Sequence, residues 1–172
     1  MSDRRRSPHV TLAAVRWMVA ASCLALSAGA LAGPADGAPA RTEAEQVLEA
    51  TGVRGGLIVH LACGDGRLTG DFGTRGPYLV HGLDPGAANV AKARTHLRER
   101  GLYGKVTVEH FAGRRLPYVD NLVNLLVAED LGDEPMEEVM RVLAPGGVVC
   151  ILDGGSLKKT VKPRPAGDYT SR

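Results

Sequence analysis

The sequence predicts an α/β fold: a doubly wound, Rossmann-like and mostly parallel sheet of about five strands, in the order 3-2-1-4-5, with flanking helices. Short apolar runs alternate with amphipathic helical segments, as expected for strands that are buried on both faces and joined by helical crossovers. Of the 172 residues, 44% are hydrophobic and 23% are charged, and both fractions are ordinary for a globular domain.

The first 32 residues are predicted to be a secretory signal peptide. Three arginines at 4–6 precede the uncharged run Trp17–Ala32, and Ala30-Leu31-Ala32 resembles a cleavage site. This run of 16 residues is shorter than the roughly 20 that a membrane-spanning helix needs. We therefore expect cleavage and export to the periplasm or the medium, with an uncleaved membrane anchor as the alternative. Membrane contact is expected only through this segment.

The net charge gives no reason to expect nucleic acid as a partner. The whole chain carries +2, and cleavage would remove four arginines and one aspartate, leaving +2 − 3 = −1. Nucleic-acid binding depends on clustered positive charge. Cysteines and histidines show no metal-ligand spacing, so we expect no metal site. Cys63 and Cys150 each lie beside or inside an apolar run and are expected to be separate buried thiols.

The remaining chain divides into a linker at 33–41, a domain at 42–155 and a basic, proline-containing tail at 156–172. Thr42 and Glu45 have the spacing of a capping box that starts a helix, and Gly52 is positioned to end it. Strands are expected at 57–61, 78–83, 106–110, 122–128 and 148–152, with helices at 87–100 and 135–143. The segment Pro145-Gly146-Gly147 is expected to be a turn before the fifth strand, which would form an exposed sheet edge. The tail is expected to be a solvated extension.

A glycine-rich bend follows the first strand, in the segment Ala62-Cys63-Gly64-Asp65-Gly66. Small residues at this place allow the backbone to approach a ligand at the carboxyl end of the sheet. Arg67 stands where the last glycine of a dinucleotide-binding G-x-G-x-x-G motif would be, which disfavours a nicotinamide-dependent oxidoreductase. A tight structural turn is the alternative for this bend.

Asp84 follows the second strand, 18 residues after Gly66. An acidic residue about 20 positions after such a bend can accept hydrogen bonds from ribose hydroxyls. The alternative is that Asp84 is the N-cap of a helix entered through Asp-Pro-Gly.

Four segments resemble the successive motifs of class I S-adenosylmethionine-dependent methyltransferases. They are Leu57–Gly66 (LIVHLACGDG), His81–Arg94 (HGLDPGAANVAKAR), Arg115–Tyr118 (RLPY) and Glu138–Gly147 (EVMRVLAPGG). The resemblance extends over Glu43–Leu152. The chain also resembles the methyltransferase-like domain at the front of exported bacterial proteins with a pyrroloquinoline-quinone-type β-propeller, here truncated after the fifth strand.

The resemblance implies that S-adenosylmethionine is the cofactor. Gly64 and Gly66 would pass close to its methionine part, Asp84 would hold the ribose, and the segment 111–113 would lie beside the adenine. The implied cofactor-binding residues are His60, Ala62, Cys63, Gly64, Gly66, Asp84, Pro85, Ala112, Gly113 and Glu129. Glu129 and Asp130 are the implied catalytic candidates, as a base for an unknown methyl acceptor. A solvated acidic loop that caps the following helix is the alternative for this pair.

Several positions depart from the family pattern. His60 stands where an acidic residue usually holds the cofactor's ammonium group, Ala62 replaces the usual first glycine, and Ala112 replaces an aspartate that accepts the adenine amine. Gly70, Gly73 and Gly76 should also weaken the helix after the bend, by about 1 kcal/mol each. The function expected is methyl transfer, and the alternative is a degenerate, non-catalytic module with a structural or binding role in an exported protein.

Overall fold

The computed structural model describes residues 41–132 and 134–165, which contain four helices and six strands. In chain order they are α1 (Glu43–Thr51), β1 (Gly56–Leu61), α2 (Arg67–Thr74), β2 (Tyr78–Asp84), α3 (Ala87–Glu99), β3 (Val106–His110), β4 (Val123–Ala128), α4 (Met136–Val142), β5 (Leu143–Asp153) and β6 (Ser156–Val161). The predicted signal peptide and all but the last residue of the predicted linker lie outside the described residues.

The strands form one sheet in the order β3-β2-β1-β4-β5-β6. The first five strands pair in parallel, which confirms the predicted fold class and the order 3-2-1-4-5. β6 pairs with β5 in antiparallel register, from Val148↔Val161 to Asp153↔Ser156. The prediction that β5 is an exposed edge was therefore wrong. The prediction of a solvated extension was wrong for residues 156–161, which form β6, and residues 166–172 of the predicted tail lie outside the described residues.

Lysines at the end of the sheet explain why β6 looks like a solvated tail in sequence. Lys159 donates to the backbone carbonyl of Ala50 at 2.6 Å, and Lys162 donates to the carbonyl of Leu143 at 2.8 Å. Their long side chains lie along the protein surface while their ammonium groups bind backbone oxygens. On the same strand, the side chain of Leu157 packs against the core.

The predicted turn at Pro145-Gly146-Gly147 was also wrong, because these residues lie within β5. The register between β4 and β5 shifts between Val123 and Leu125, so the Pro-Gly-Gly segment is accommodated as an irregularity in the strand. Proline is tolerated in strands at such irregular positions, where no ladder hydrogen bond is required of it.

The two faces of the sheet are covered unequally. One core cluster packs α1, α2 and α3 against the first face, with Phe72, Leu97 and Ile58 among its fully buried residues. On the other face, α4 and the segment around Leu116 cover a second cluster. The boundaries of α1 match the prediction: Thr42 and Glu45 form the capping box, and Gly52 ends the helix at a φ of 72°.

The glycines of α2 have a packing role that propensity alone does not predict. A Cβ atom added at Gly73 would lie 2.3 Å from Cγ2 of Val106, and one at Gly70 would lie 3.2 Å from Cδ2 of Leu97. Because these positions lack side chains, α2 packs closely against β3 and α3. The cost in helix propensity is thus offset by close helix–sheet contact.

Candidate active site

The glycine bend lies between the carboxyl end of β1 and the start of α2, where parallel sheets of this kind bind ligands. Gly64 and Gly66 have φ values of +55° and +77°, a left-handed conformation that favours glycine. A Cβ atom added at Gly66 would lie 2.7 Å from that of Ala93, whereas one added at Gly64 would meet no atom within 4 Å. Gly66 therefore allows α3 to pack against the bend, and Gly64 leaves open space above it.

Asp84, at the end of β2, binds this bend directly. Its Oδ2 atom accepts a hydrogen bond from the backbone N–H of Gly64 at 2.8 Å. Its Oδ1 atom accepts from the N–H of Gly86 at 2.8 Å and from the Asn89 amide at 3.1 Å. The carboxylate therefore holds the bend against the entry of α3. The N-cap of α3 is Gly86, so the alternative that made Asp84 the N-cap was wrong, although Asp84 does stabilise that entry.

Two cavities flank the bend. The first, of about 280 Å³, is called the apolar cavity here because leucine, proline and phenylalanine side chains form much of its wall. Its lining residues are Leu61, Ala62, Leu83, Pro85, Phe111, Ala112, Gly113, Asp130, Leu131, Gly132 and Glu134. The second, of about 390 Å³, is called the acidic cavity. Its lining residues are Glu43, His60, Ala62, Cys63, Gly64, Asp65, Arg67, Leu68, Asp71 and Glu129.

The predicted site residues are divided between these cavities. His60, Cys63, Gly64 and Glu129 line the acidic cavity. Pro85, Ala112, Gly113 and Asp130 line the apolar cavity, and Ala62 lines both. Two predicted residues line neither: Gly66 lies at the start of α2, and Asp84 is only 2% exposed beneath the bend.

Ala62 has a strained backbone at the junction of the two cavities. Its φ is +51°, in the left-handed region that costs an L-residue roughly 1–2 kcal/mol. Replacement of the usual first glycine would be mild at a negative φ, so this conformation makes the substitution costly. Ala62 is exposed and lines both cavities, so the cavities adjoin at this residue.

His60 is a neutral residue in the wall of the acidic cavity. Burial lowers its pKa from 6.5 to about 4, against an opposing effect of the Asp84 charge. Its Nδ1 atom shares a hydrogen bond of 2.8 Å with the hydroxyl of Thr69, and the edge of Phe72 lies nearby. At neutral pH the ring therefore carries no positive charge that could repel a cationic ligand.

Cys63 is buried under the bend. Burial, and to a smaller extent the Asp84 charge, raise the pKa of its thiol to about 12. Cys63 and Cys150 are both free and buried, as the sequence predicted. The described residues contain no group of three or more His, Cys, Asp or Glu side chains that could hold a metal ion.

Arg141 fixes the loop beneath the apolar cavity. Its guanidinium donates to Glu138 at 2.6 Å and to Asp120 at 2.6 Å. It also donates to the backbone carbonyls of Leu116 and Tyr118. This arginine belongs to the Glu138–Gly147 motif, so the motif joins α4 to the segment that follows Gly113.

Glu129 and Asp130 face different cavities although they are neighbours in sequence. Asp130 accepts a hydrogen bond from the N–H of Gly132 at 3.2 Å. No side chain caps the start of α4 at Pro135, so the alternative that this acidic pair caps the helix was wrong.

Glu43 lines the acidic cavity but is not among the site residues predicted from the sequence. The sequence shows only that Glu43 lies in the first turn of α1.

The residues present fit the two ends of S-adenosylmethionine. The apolar cavity offers Leu83, Pro85 and Phe111 to a planar base, and the acidic cavity offers carboxylates to a cationic amino-acid group. The open space at Gly64 and the buried carboxylate of Asp84 lie between them. Ala112 itself offers the adenine amine no side-chain acceptor, and Asp130 is the aspartate that lines the same cavity.

This sheet order, with a glycine bend after β1 and an acidic residue after β2, defines the class of Rossmann-like S-adenosylmethionine-dependent methyltransferases. The methyltransferase domain family matches residues 58–147, just over half of the chain, and the chain belongs to that family.

Curated and structural relatives agree with this membership. The chain is 31% identical over 117 residues to a ubiquinone/menaquinone biosynthesis C-methyltransferase, UbiE, of Idiomarina loihiensis, covering 62% of this chain and 46% of that protein. It thus spans about half the length of the curated relatives it matches.

Solved structures show the same fold. A geranyl diphosphate C-methyltransferase from Streptomyces coelicolor A3(2), solved with S-adenosyl-L-homocysteine, superposes with a TM-score of 0.57 at 22% identity, covering 63% of this chain and 44% of that one. The [4+2]-cyclase SpnF superposes with a TM-score of 0.58 at 28% identity, covering 63% and 42%.

Proposed function

We propose that this chain transfers the methyl group of S-adenosylmethionine to an acceptor held at the carboxyl end of its sheet. The observation that carries the proposal is the buried carboxylate of Asp84 bound to the Gly64 N–H between an apolar and an acidic cavity. A molecule with an apolar base at one end and a charged amino acid at the other matches this arrangement.

When bound, S-adenosylmethionine supplies a sulfonium-linked methyl carbon: the acceptor–carbon bond forms, the carbon–sulfur bond breaks, and the electron pair stays on sulfur. The chain's own contribution is alignment and exclusion of water. Leu61 and Ala62, at the end of β1, would fix the position of the sulfur at the junction of the cavities.

An acceptor that must lose a proton needs a base nearby. Asp130 is the better placed of the two catalytic candidates, because Glu129 lines the acidic cavity, where the amino-acid end of the cofactor would lie, and Asp130 does not. Glu129 faces the acidic cavity and would act on the cofactor instead. The C-methyltransferase relatives support a carbon acceptor, whose C–H proton would pass to Asp130.

Calorimetry with S-adenosylmethionine and S-adenosylhomocysteine tests this proposal. We expect saturable heat with both ligands and methylation of a quinone-precursor probe such as a prenylated hydroquinone. Absence of heat at millimolar ligand would overturn the proposal and leave the alternative of a non-catalytic module.

We further propose that the chain is exported through its first 32 residues. The support is the order of basic start, apolar run and small-residue site in the sequence. Within residues 41–132 and 134–165, no helix is long and apolar enough to cross a membrane. A reporter enzyme fused after residue 40 should appear outside the cytoplasm, and its retention in the cytoplasmic fraction would refute export. We also propose that this domain is similar to the methyltransferase-like domain of exported β-propeller proteins. Propeller repeats in the genomic sequence that follows the codon of Arg172 would support this likeness.

A further inference from the structure

Two carboxylates of the acidic cavity form no ion pair with any residue that the structure describes. Asp65 pairs with Arg67 at 3.1 Å, and Asp71 pairs with Arg100 at 2.9 Å. Across the part of the chain that the structure describes, Glu43 and Glu129 form no hydrogen bond or ion pair.

Glu43 and Glu129 both line the cavity but belong to different parts of the fold. Glu43 lies in the first turn of α1, whose capping box uses Glu45 instead. Glu129 directly follows β4. A cation held by both carboxylates would therefore link α1 to the end of β4.

His60 provides a buried polar group in the same wall. Its ring is 3% exposed, and only Nδ1 has a hydrogen-bond partner among the described residues, the Thr69 hydroxyl. With the proton on Nδ1, the Nε2 atom is an unshared acceptor on a ring that lines the cavity. A neutral imidazole can accept a hydrogen bond from an ammonium group, whereas a protonated one would repel it.

We infer that Glu43 and Glu129, together with neutral His60, bind the α-ammonium group of the cofactor, in place of an acidic residue at position 60. This inference rests on the proposed function, since it assigns the charged end of the same ligand. It makes Glu43, on α1, a specificity residue for ligands that carry an amino acid.

Two ligands that differ only at this end test the inference. S-adenosylhomocysteine carries the amino-acid group, and 5′-methylthioadenosine keeps the nucleoside and thioether but lacks that group. We expect the parent chain to bind S-adenosylhomocysteine the more tightly. Glu43→Gln and Glu129→Gln should each raise its Kd by about tenfold or more, because each removes a charged hydrogen bond, and leave the Kd of 5′-methylthioadenosine within about twofold of the parent's.

Glu49→Gln is the matched control, because Glu49 lies on the same helix, pairs with Arg41 and lies outside the acidic cavity. It should leave both Kd values unchanged. Unchanged S-adenosylhomocysteine binding in Glu43→Gln and Glu129→Gln would overturn the inference. Equal affinity of the parent for the two ligands would also overturn it while leaving the proposed function intact. If neither ligand binds the parent, both ideas fail.

Discussion

The Oδ2 atom of Asp84 accepts a hydrogen bond from the backbone N–H of Gly64 at 2.8 Å, across 20 residues of sequence. The other oxygen accepts from Gly86 and Asn89. An ionised carboxylate offers about four acceptor positions, so these three donors leave room for about one more. A ribose diol that donates twice must therefore displace an internal donor, and of the three donors Gly64 is the one that lines one of the two cavities.

We expect ligand binding to release the Gly64 amide from Asp84. In an NMR titration with S-adenosylhomocysteine, the Gly64 amide resonance should shift strongly, whereas the Gly86 amide should shift less. Asp84→Asn should weaken ligand binding by about tenfold to a hundredfold, because it removes the charge that strengthens these bonds. Far-UV circular dichroism shows whether the variant is folded, and unaltered binding by a folded variant would exclude the ribose role.

Ala62→Gly should stabilise the chain. The substitution removes left-handed strain of roughly 1–2 kcal/mol, and greater freedom of the unfolded chain offsets about 0.4–1 kcal/mol of this gain. Urea unfolding should show a net gain of about 0.5–1 kcal/mol.

Two controls separate this effect from ordinary alanine–glycine exchange. Ala91→Gly, on the exposed side of α3, should cost about 1 kcal/mol. Gly64→Ala, at a φ of +55° with open space around its Cβ, should cost about 1 kcal/mol from the backbone alone. Equal losses in Ala62→Gly and Ala91→Gly would show that the conformation at residue 62 is unstrained.

His60 should make the chain acid-sensitive. Its pKa is 6.5 when unfolded and about 4 when folded, so between these values the unfolded state binds more protons. The contribution of His60 to the free energy of unfolding is fully present above pH 6.5. It is lost as the pH falls towards 4, by roughly 3 kcal/mol in total for a fully buried ring.

The difference in the free energy of unfolding between the parent and His60→Gln isolates the effect of His60, because the carboxylates that also titrate in acid are present in both proteins. Urea unfolding at intervals from pH 7.5 to 4 should show a steeper loss in the parent. Parallel curves for the two proteins would mean that the His60 ring is solvated in the folded state.

Gly73→Ala should destabilise the chain although alanine is the better helix former. Helix propensity alone predicts a gain of about 1 kcal/mol, but the new Cβ would lie 2.3 Å from Val106. Overpacking of this kind costs about 1–3 kcal/mol.

A double-mutant cycle with Val106→Ala checks the cause. Because that change removes the clashing methyl group, the two substitutions together should cost less than their sum. Gly55→Ala, whose nearest contact would be an ordinary 3.4 Å to Pro77, serves as the neutral substitution. A stabilised Gly73→Ala variant would show that α2 can move away from the sheet.

The sequence predicts the five parallel strands because each is a short apolar run, such as Leu57–Leu61, buried on both faces. It does not predict β6, since Lys158 and Lys159 make that strand look solvated, and the partner of Lys159, the carbonyl of Ala50, is distant in sequence. The bend and Asp84 are predictable from local spacing. The role of Gly73 is not, because its contact with Val106 is a tertiary one. The same holds for Glu43, whose place at the cavity depends on how α1 packs.

The thiol of Cys63 lies directly behind the bend, in space that Gly82 leaves free: a Cβ atom there would be 2.8 Å from its Sγ atom. Burial raises the pKa of this thiol to about 12, so almost no reactive thiolate exists while the bend is closed. Alkylation of Cys63 should therefore be slow in the folded chain, and its rate should report how often the thiol becomes exposed and ionised. A ligand that stabilises the bend should lower the rate of Cys63 alkylation. That rate would therefore report how much of the site is occupied, even when the reaction is unknown.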